Sequence, residues 1–167
     1  MTILEKIINY ITEGAVFKKG QTISPCDIKN SGKLSSDPVC GALGALSDEL
    51  LNDMTTIPES VFVNLDGALR DDASANDVAG YIRDFLEKSS VAGLCVEFGG
   101  DSLTYLTMDD RFATVRELSR IKPFCVLFES DFNTALYLEQ KGVRAPMFLN
   151  DGPENYKKVI DLSLAEI

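Results

Sequence analysis

The strongest constraint on the fold is an alternation of apolar segments and amphipathic segments that begins at residue 60. β-Branched and aromatic runs predict four strands, at 61–65, 91–98, 123–128 and 145–149. Helical spacing of apolar residues predicts a helix after each strand. This order predicts an α/β fold with βαβ units from residue 60 onward. Its largely parallel sheet has about four or more strands flanked by helices.

Side chains that can cap a helix mark where three of these helices start. Ser74 with Asp77, and Thr107 with Asp110, have the spacing of a capping box. Asp131 can cap a helix over 132–141. The last helix is predicted to open at Asp-Gly-Pro, residues 151–153, because proline suits a first helical turn. Its predicted inner face is formed by Tyr156, Val159 and Ile160.

The N-terminal third has a different pattern. A first helix is predicted because its apolar residues share one face: Ile3, Leu4, Ile7, Ile8 and Ile11. Thr2 can cap its start and Gly14 its end. Residues 16–38 are irregular with one or two short strands, and 40–54 are helical. We therefore expect a single domain, 1–167, with a helical or irregular part (1–55) and a βαβ part (56–167). It would be the N-terminal piece of a longer protein.

Ligands of open parallel sheets bind beyond the carboxyl ends of the strands. The residues predicted there are the candidate ligand-binding set: Asp66, Gly67, Glu97, Gly99, Gly100, Glu129, Asp131 and Asp151. Four carboxylates of the set suit Mg²⁺: Asp66, Glu97, Glu129 and Asp151. They also favour helix N-termini, which is the stronger interpretation. We therefore assign no metal ligand, no catalytic residue and no cofactor from the sequence.

Charge excludes several classes of function. The chain has 16 basic and 26 acidic residues, a formal net charge of −10, and no histidine. Catalysis by Ser-His-Asp or Cys-His and zinc binding by histidine are therefore excluded. Without a basic stripe to neutralise phosphates, we expect no nucleic-acid binding and no attachment to an anionic membrane.

The four cysteines form no Cys-x-x-Cys pair, which favours reduced thiols and a cytoplasmic location. Cys95 and Cys125 lie in apolar runs and are predicted to be buried and inert. Cys26 and Cys40 lie in the irregular part. A disulfide or a two-ligand metal site between them is an open alternative.

Residues 64–69 read Asn-Leu-Asp-Gly-Ala-Leu. This resembles the first motif of haloacid-dehalogenase-type phosphatases, in which Asp-x-Asp-Gly-Thr-Leu follows a strand. Asn64 stands where that chemistry needs a nucleophilic aspartate, and an amide cannot form the aspartyl-phosphate. A Mg²⁺-dependent phosphate-handling enzyme with a degenerate motif is therefore kept only as an alternative.

Four short pieces resemble the N-terminal sensory domain of purine-catabolism-type transcriptional regulators and the related DRTGG-type regulatory domain. They are residues 58–63, 68–72, 91–96 and 122–128. The resemblance implies a non-catalytic domain of a bacterial transcriptional regulator that binds a small, purine-related metabolite at the strand ends. It further implies a DNA-binding domain outside this chain, C-terminal to it, and allows a homodimer. A plain protein-interaction module is the remaining alternative.

Overall fold

The central sheet is made from the β-branched and aromatic runs of the sequence. The computed structural model describes residues 1–13, 15–27, 53–142, 144 and 146–167. Its elements in chain order are α1 (Ile3–Ile11), β1 (Thr22–Ile23), β2 (Thr55–Thr56), β3 (Ser60–Asp66), α2 (Ala75–Glu87), β4 (Cys95–Gly99), α3 (Met108–Leu118), β5 (Cys125–Phe128), α4 (Phe132–Gln140) and β6 (Lys158–Ser163). Strands β3 to β6 form one parallel sheet in the order β5-β4-β3-β6. The predicted α/β class, with a parallel sheet flanked by helices, is confirmed.

The ends of the helices follow local chemistry. Three helices begin with a reciprocal capping box, formed by Thr2 with Glu5, Ser74 with Asp77, and Thr107 with Asp110. Asp131 caps α4 by accepting from the backbone N–H of Thr134 at 2.9 Å. A cap of this kind contributes about 1 kcal/mol, because it satisfies donors that the helix itself leaves unpaired. The caps predicted at Thr2, Ser74, Thr107 and Asp131 are confirmed.

One face of the sheet is covered by α1. Phe62, Glu97 and Leu127 lie side by side on β3, β4 and β5 and share this face. The backbone N–H groups of Ile3 and Leu4, in the first turn of α1, donate to the Glu97 carboxylate at 2.8 Å and 3.1 Å. The start of α1 is thereby fixed to the middle of β4.

The opposite face carries an aromatic stack. Phe98 and Phe128 on β4 and β5 have ring centroids 4.8 Å apart and nearly parallel planes. The guanidinium of Arg111 in α3 lies 5.7 Å from the Phe128 ring centroid. Helix α3 therefore lies on this second face, and the sheet is sandwiched between helices.

The strand predicted over 145–149 is wrong for the part that the structure describes, residues 146–149. This segment runs past the end of β5 and makes two hydrogen bonds to one residue. Ser130 N donates to Phe148 O, and Phe148 N donates to Ser130 Oγ, both at 2.9 Å. One backbone bond does not make a ladder, so the apolar run forms no strand.

The predicted last helix is also wrong. Pro153–Asn155 forms only a short 3-10 turn, and Lys158–Ser163 is strand β6. Ile160 and Leu162 are buried alternately and lie opposite Val63 and Leu65 of β3. The spacing of Tyr156, Val159 and Ile160 fits a helix equally well. The edge of β3 that β4 does not cover can pair with a further strand, and this pairing decided that the segment forms a strand.

In the N-terminal part, β1 pairs antiparallel with β2. The first of these strands lies within the stretch where one or two short strands were expected. The helix predicted over 40–54 lies almost wholly outside the described residues, as does the predicted end at Gly14. No helix among the described residues is long and apolar enough to cross a membrane.

Candidate functional site

Polar side chains and two glycines form a line across the sheet near the carboxyl ends of its strands. We call this line the strand-end row; its members are Asp161, Asn64, Gly100, Gly99, Glu129 and Asn150. Asn64 Nδ2 donates to Asp161 Oδ1 at 2.9 Å, which joins β3 to β6. Because the strands are parallel, this edge is where a ligand of such a sheet would bind.

Two glycines bring the strands together in the row. A β-carbon on Gly100 would lie 2.5 Å from Asn64 Oδ1 and 2.6 Å from the carbonyl oxygen of Leu65. The φ angle of Gly100 is +100°, which also favours glycine. At Gly99, a β-carbon would collide with the Glu129 carboxylate and with the Phe62 ring. Side chains at either position would push β3, β4 and Glu129 apart.

Glu129 connects the row to the segment before β6. Its backbone N–H donates to Phe98 O at 2.8 Å, which extends the ladder beyond β5. Its Oε1 accepts from the backbone N–H of Asn150 at 2.9 Å and from the side-chain amide of the same residue. The row thus presents two carboxylates, on Glu129 and Asp161, and two amides, on Asn64 and Asn150. These groups can exchange hydrogen bonds or protons with a ligand, but their net charge disfavours an anion.

Glu97 lies deeper on the α1 face, fully buried. Its carboxylate accepts from Ile3 N, Leu4 N, Ser60 Oγ at 2.8 Å and Tyr156 OH at 2.7 Å. These donors use the hydrogen-bonding capacity of the carboxylate within the protein. Its position at a helix N-terminus is also electrostatically favourable.

Burial shifts the proton equilibria around Glu97. It raises the pKa of the Glu97 carboxyl, while hydrogen bonds from Tyr156, Ser60 and the α1 backbone oppose the shift. The pKa of the Tyr156 hydroxyl is raised by burial first and then by the charge of Glu97. The tyrosine therefore stays protonated and serves as a donor to the carboxylate.

Arg111 is a buried charge that sequence reasoning missed. Its side chain is 1% exposed. The guanidinium donates to Leu106 O at 3.2 Å, Leu103 O at 3.1 Å, Thr134 Oγ1 at 3.0 Å and both oxygens of Asp131. Burial raises the pKa of the Asp131 carboxyl, but the hydrogen bonds from Arg111 and Thr134 outweigh burial, and the pKa is lowered. This guanidinium ties the turn before α3 to the start of α4.

The expected inner face of α3 explains why Arg111 was missed. In the sequence, the helical spacing of Phe112, Val115 and Leu118 favours these three residues as the apolar face. Of these three residues, only Leu118 is fully buried. Arg111 and Thr114 are also fully buried, although they lie outside the predicted apolar face. A basic residue beside an apolar stripe ordinarily indicates a solvated position. The sequence carries no signal that Asp131, twenty residues later, would pair with it.

Asp151 and the end of β3 complete the predicted set. Asp151 accepts from the Met1 amino group at 2.9 Å and from Lys6 Nζ. The Lys6 and Met1 hydrogen bonds lower the pKa of the Asp151 carboxyl. Asp66 is exposed at the last position of β3. A β-carbon on Gly67 would lie 2.7 Å from Ser163 Oγ, so this glycine accommodates the chain that leaves β6.

The structure divides the eight predicted ligand-binding residues into three groups. Those in the strand-end row are Gly99, Gly100 and Glu129. Those bonded to structural partners elsewhere are Glu97, Asp131 and Asp151. Those at the end of β3 and directly after it are Asp66 and Gly67. Ligand binding by the set stays a prediction. The set does not include Asp161, which was expected in a helix, or Asn150, which was expected at a strand end.

The carboxylates considered for magnesium do not converge. Within the described ranges, no group of three or more Asp, Glu, Cys or His side chains is placed to hold a metal ion. Asp151 pairs with Lys6, Glu97 receives a helix N-terminus, and Glu129 accepts from Asn150. Asp66 is exposed at the end of β3. The magnesium-dependent alternative with its degenerate phosphatase motif is therefore unsupported.

Comparison with known proteins gives a family. The model of the aconitase family (aconitate hydratase) matches residues 50–166. Aconitate hydratase A of Rickettsia felis is 38% identical over 87 residues, which are 52% of this chain and 10% of that protein. The enzyme of the same name from Pseudomonas aeruginosa is 34% identical over 86 residues, again 52% and 10%. The 3-isopropylmalate dehydratase large subunit of Picrophilus torridus is 22% identical over 111 residues, 66% of this chain and 27% of that protein.

These matches overturn the resemblance to transcriptional regulators. Of the pieces quoted for it, residues 58–63, 91–96 and 122–128 contain parts of β3, β4 and β5. Short apolar strands and their turns recur in any parallel α/β sheet, so they do not identify a family. The expectations of transcription regulation, of a metabolite-sensing role and of a DNA-binding partner domain are wrong.

The expectation that the chain is not an enzyme domain is wrong for the same reason, because the matched relatives are named as a hydratase and a dehydratase. The interaction-module alternative has no support either. The chain spans 10% of the length of the aconitate hydratases that it matches. Since the family model covers residues 50–166, which is more than half of the chain, this protein belongs to the aconitase family.

Proposed function

We propose that this chain is a domain of a hydratase or dehydratase that acts on a di- or tricarboxylic acid. The observation that carries the proposal is the family match over residues 50–166, which spans the whole parallel sheet. The relatives' names describe addition of water to aconitate and removal of water from 3-isopropylmalate. Both reactions make or break a carbon–carbon double bond in an acid with several carboxylates.

The charge of the strand-end row indicates what this domain contributes. A polycarboxylate substrate needs cations around it, whereas the row offers the carboxylates of Glu129 and Asp161. Two arginines already form ion pairs with acidic residues: Arg111 with Asp131, and Arg70, in the loop after β3, with Asp72. We therefore propose a supporting role, in which the row meets other parts of the enzyme that bind the substrate. Gly99, Gly100 and Glu129 form its central part.

Membership of the aconitase family implies an iron–sulfur cluster. Such a cluster needs three or four thiolate ligands. The described cysteines are Cys26, which is exposed, and the buried neighbours Cys95 and Cys125 at the starts of β4 and β5. These residues do not fit a cluster, so the complete enzyme would hold one through residues outside the described set.

An activity assay tests the proposal. The intact polypeptide or complex that carries this chain is purified from its native cells and given cis-aconitate and 3-isopropylmalate. The change in alkene absorbance reports hydration or dehydration. We expect the intact preparation to convert at least one acid, and the isolated 167-residue chain to convert neither. An intact preparation without activity would contradict the proposed reaction, and activity of the isolated chain would contradict the supporting role.

A pair of glycine variants tests the strand-end row. Gly100→Val places a side chain against Asn64 and Leu65, so we expect the intact preparation to lose activity. Gly80→Ala is the matched control, because a β-carbon there meets no atom within 4 Å. Equal activity of the two variants would show that the row is not needed.

We also propose that residues 1–167 form one domain in the cytoplasm. The bonds from Glu97 to the first turn of α1, and from Asp151 to Met1, support a single unit, since they join the N-terminal helix to the sheet. The described cysteines are free thiols, as is usual in a reducing compartment.

A further inference from the structure

Cys95 and Cys125 form a pair of buried thiols at the edge of the sheet opposite the strand-end row. They are the first residues of β4 and β5 and lie directly opposite each other in the parallel register. Cys125 Sγ donates to Cys95 Sγ across 2.8 Å. Both cysteines are free. Neither the family match nor the proposed function uses this pair.

The backbone geometry permits a covalent bond between the two sulfurs. Neighbouring strands lie about 4.8 Å apart. A disulfide requires Cα atoms separated by about 4.4–6.8 Å. Residues opposite each other in a parallel ladder therefore satisfy the distance, and their side chains project from the same face. Only rotation of the side chains is needed to close the bond.

A proton acceptor lies next to the pair. Cys95 Sγ donates to Glu97 Oε1 at 3.7 Å. Burial raises the pKa of the Cys95 thiol, with the neighbouring Cys125 and Glu97 acting in the same direction, so the thiolate is scarce at rest. Glu97 can take the thiol proton in place of one of the hydrogen bonds that it accepts, so the proton need not cross to solvent. The pair is thus stable in reducing conditions, and its reaction is slower than that of an exposed thiol.

We propose that Cys95 and Cys125 are an oxidative modification site, at which a peroxide closes a disulfide between β4 and β5. The Cys95 sulfur attacks one peroxide oxygen, the O–O bond breaks, and the departing hydroxide takes the proton held at Glu97 and leaves as water. The resulting sulfenic acid is attacked by the Cys125 sulfur. Its S–O bond breaks, and the hydroxide leaves as water with the Cys125 proton.

The step is balanced. Two thiols and one peroxide give one disulfide and two waters, with each sulfur losing one electron and the peroxide gaining two. A small dithiol reductant reverses it by thiol–disulfide exchange. The crosslink would tie β4 to β5 and remove the Cys95 S–H donor from Glu97, the group that holds the start of α1.

Mass spectrometry of the native chain tests the proposal. The variant Cys26→Ser/Cys40→Ser keeps only the buried pair. After hydrogen peroxide, quenching and unfolding in an alkylating agent, we expect a loss of about 2 Da, no alkylation, and one linked peptide pair containing residues 95 and 125. Dithiothreitol should restore two alkylatable thiols. Adding Cys125→Ser should prevent the linkage.

The wild-type chain provides an internal reference that does not depend on folding of the variants. Its exposed Cys26 reports that peroxide reached the protein, and peptide mapping reads residues 95 and 125 separately. Cys95 and Cys125 thiols that stay free during prolonged peroxide treatment, long after Cys26 is fully oxidised, would overturn the proposal. Linkage that forms only when urea is present during oxidation would overturn it as well, because the native register would then play no part.

Discussion

Glu97 and Arg111 are buried charges on opposite faces of the same sheet, and they are stabilised differently. Glu97 faces neutral donors: two helix N–H groups and two hydroxyls. Arg111 faces two carbonyls, a hydroxyl and the charged carboxylate of Asp131. Both groups have their hydrogen-bonding capacity filled, but only Arg111 has an opposite charge.

The difference has a consequence for protonation. Without a counter-charge, burial dominates at Glu97 and its pKa is raised. With Arg111 beside it, Asp131 has a lowered pKa. Hydrogen bonds from neutral donors oppose the effect of burial at Glu97 without overcoming it, whereas at Asp131 the hydrogen bonds and charge of Arg111 help to outweigh burial. The α1 face and the α3 face should therefore respond differently to mutation and to pH.

Arg111→Met should have the largest effect. It removes the guanidinium donors of the Asp131 carboxylate and of two carbonyl oxygens, and breaking a buried ion pair costs about 3–5 kcal/mol. Urea denaturation followed by circular dichroism measures the free energy of unfolding. Arg116→Met, on the exposed side of the same helix, is the control and should leave that free energy unchanged. Equal stabilities of the two variants would show that the buried ion pair of Arg111 does not stabilise the fold.

Glu97→Gln should have a smaller effect, about 1–3 kcal/mol. The amide N–H₂ replaces one acceptor oxygen and faces a donor, but no opposite charge is left unpaired. The same denaturation experiment measures the loss, with exposed Glu87→Gln as the control. A loss larger than that of Arg111→Met would reverse the proposed order of the two faces.

Tyr156→Phe should cost about 1 kcal/mol, since Glu97 keeps its donors from the α1 backbone, Ser60 and Cys95. Exposed Tyr105→Phe is the matched control and should be neutral. Amide hydrogen exchange at Ile3 and Leu4 gives a second measurement. We expect faster exchange in Tyr156→Phe only, and unchanged exchange would mean that the tyrosine does not help to hold α1.

The dependence of stability on pH should distinguish the two faces by its sign. The folded pKa of Asp131 lies below its ordinary value of 3.8, so its contribution is present above that pH and is lost as pH falls through the folded pKa. The folded pKa of Glu97 lies above its ordinary value of 4.5, so stability falls as pH rises from 4.5 through the folded pKa.

Denaturation curves between pH 2.5 and 7 measure this contrast. The stability advantage of wild type over Asp131→Asn should shrink below pH 3.8, whereas its advantage over Glu97→Gln should shrink as pH rises above 4.5. Asp109→Asn, exposed in the first turn of α3, corrects for the general effect of removing a carboxylate. Advantages that change in the same direction would contradict the assignment.

Much of the fold could be predicted because its determinants are local. A capping box joins residues three positions apart, so Ser74 with Asp77 and Thr107 with Asp110 were visible in the sequence. The runs that became β3, β4 and β5 were apolar enough to be buried on both faces.

The candidate site was predicted less well than the fold. Gly99, Gly100 and Glu129 were placed at the correct edge, but the candidate set left out Asn150 and Asp161.

The sequence by itself determined the α/β class, the starts of four helices and three of the four parallel strands, since each depends on residues a few positions apart. Tertiary structure alone decided that residues 158–163 pair with β3, that Glu97 receives α1, and that Arg111 meets Asp131. These contacts join residues 20 to about 100 positions apart. Their formation depends on which hydrogen-bonding partner remains when the chain is packed, and local spacing does not encode that choice.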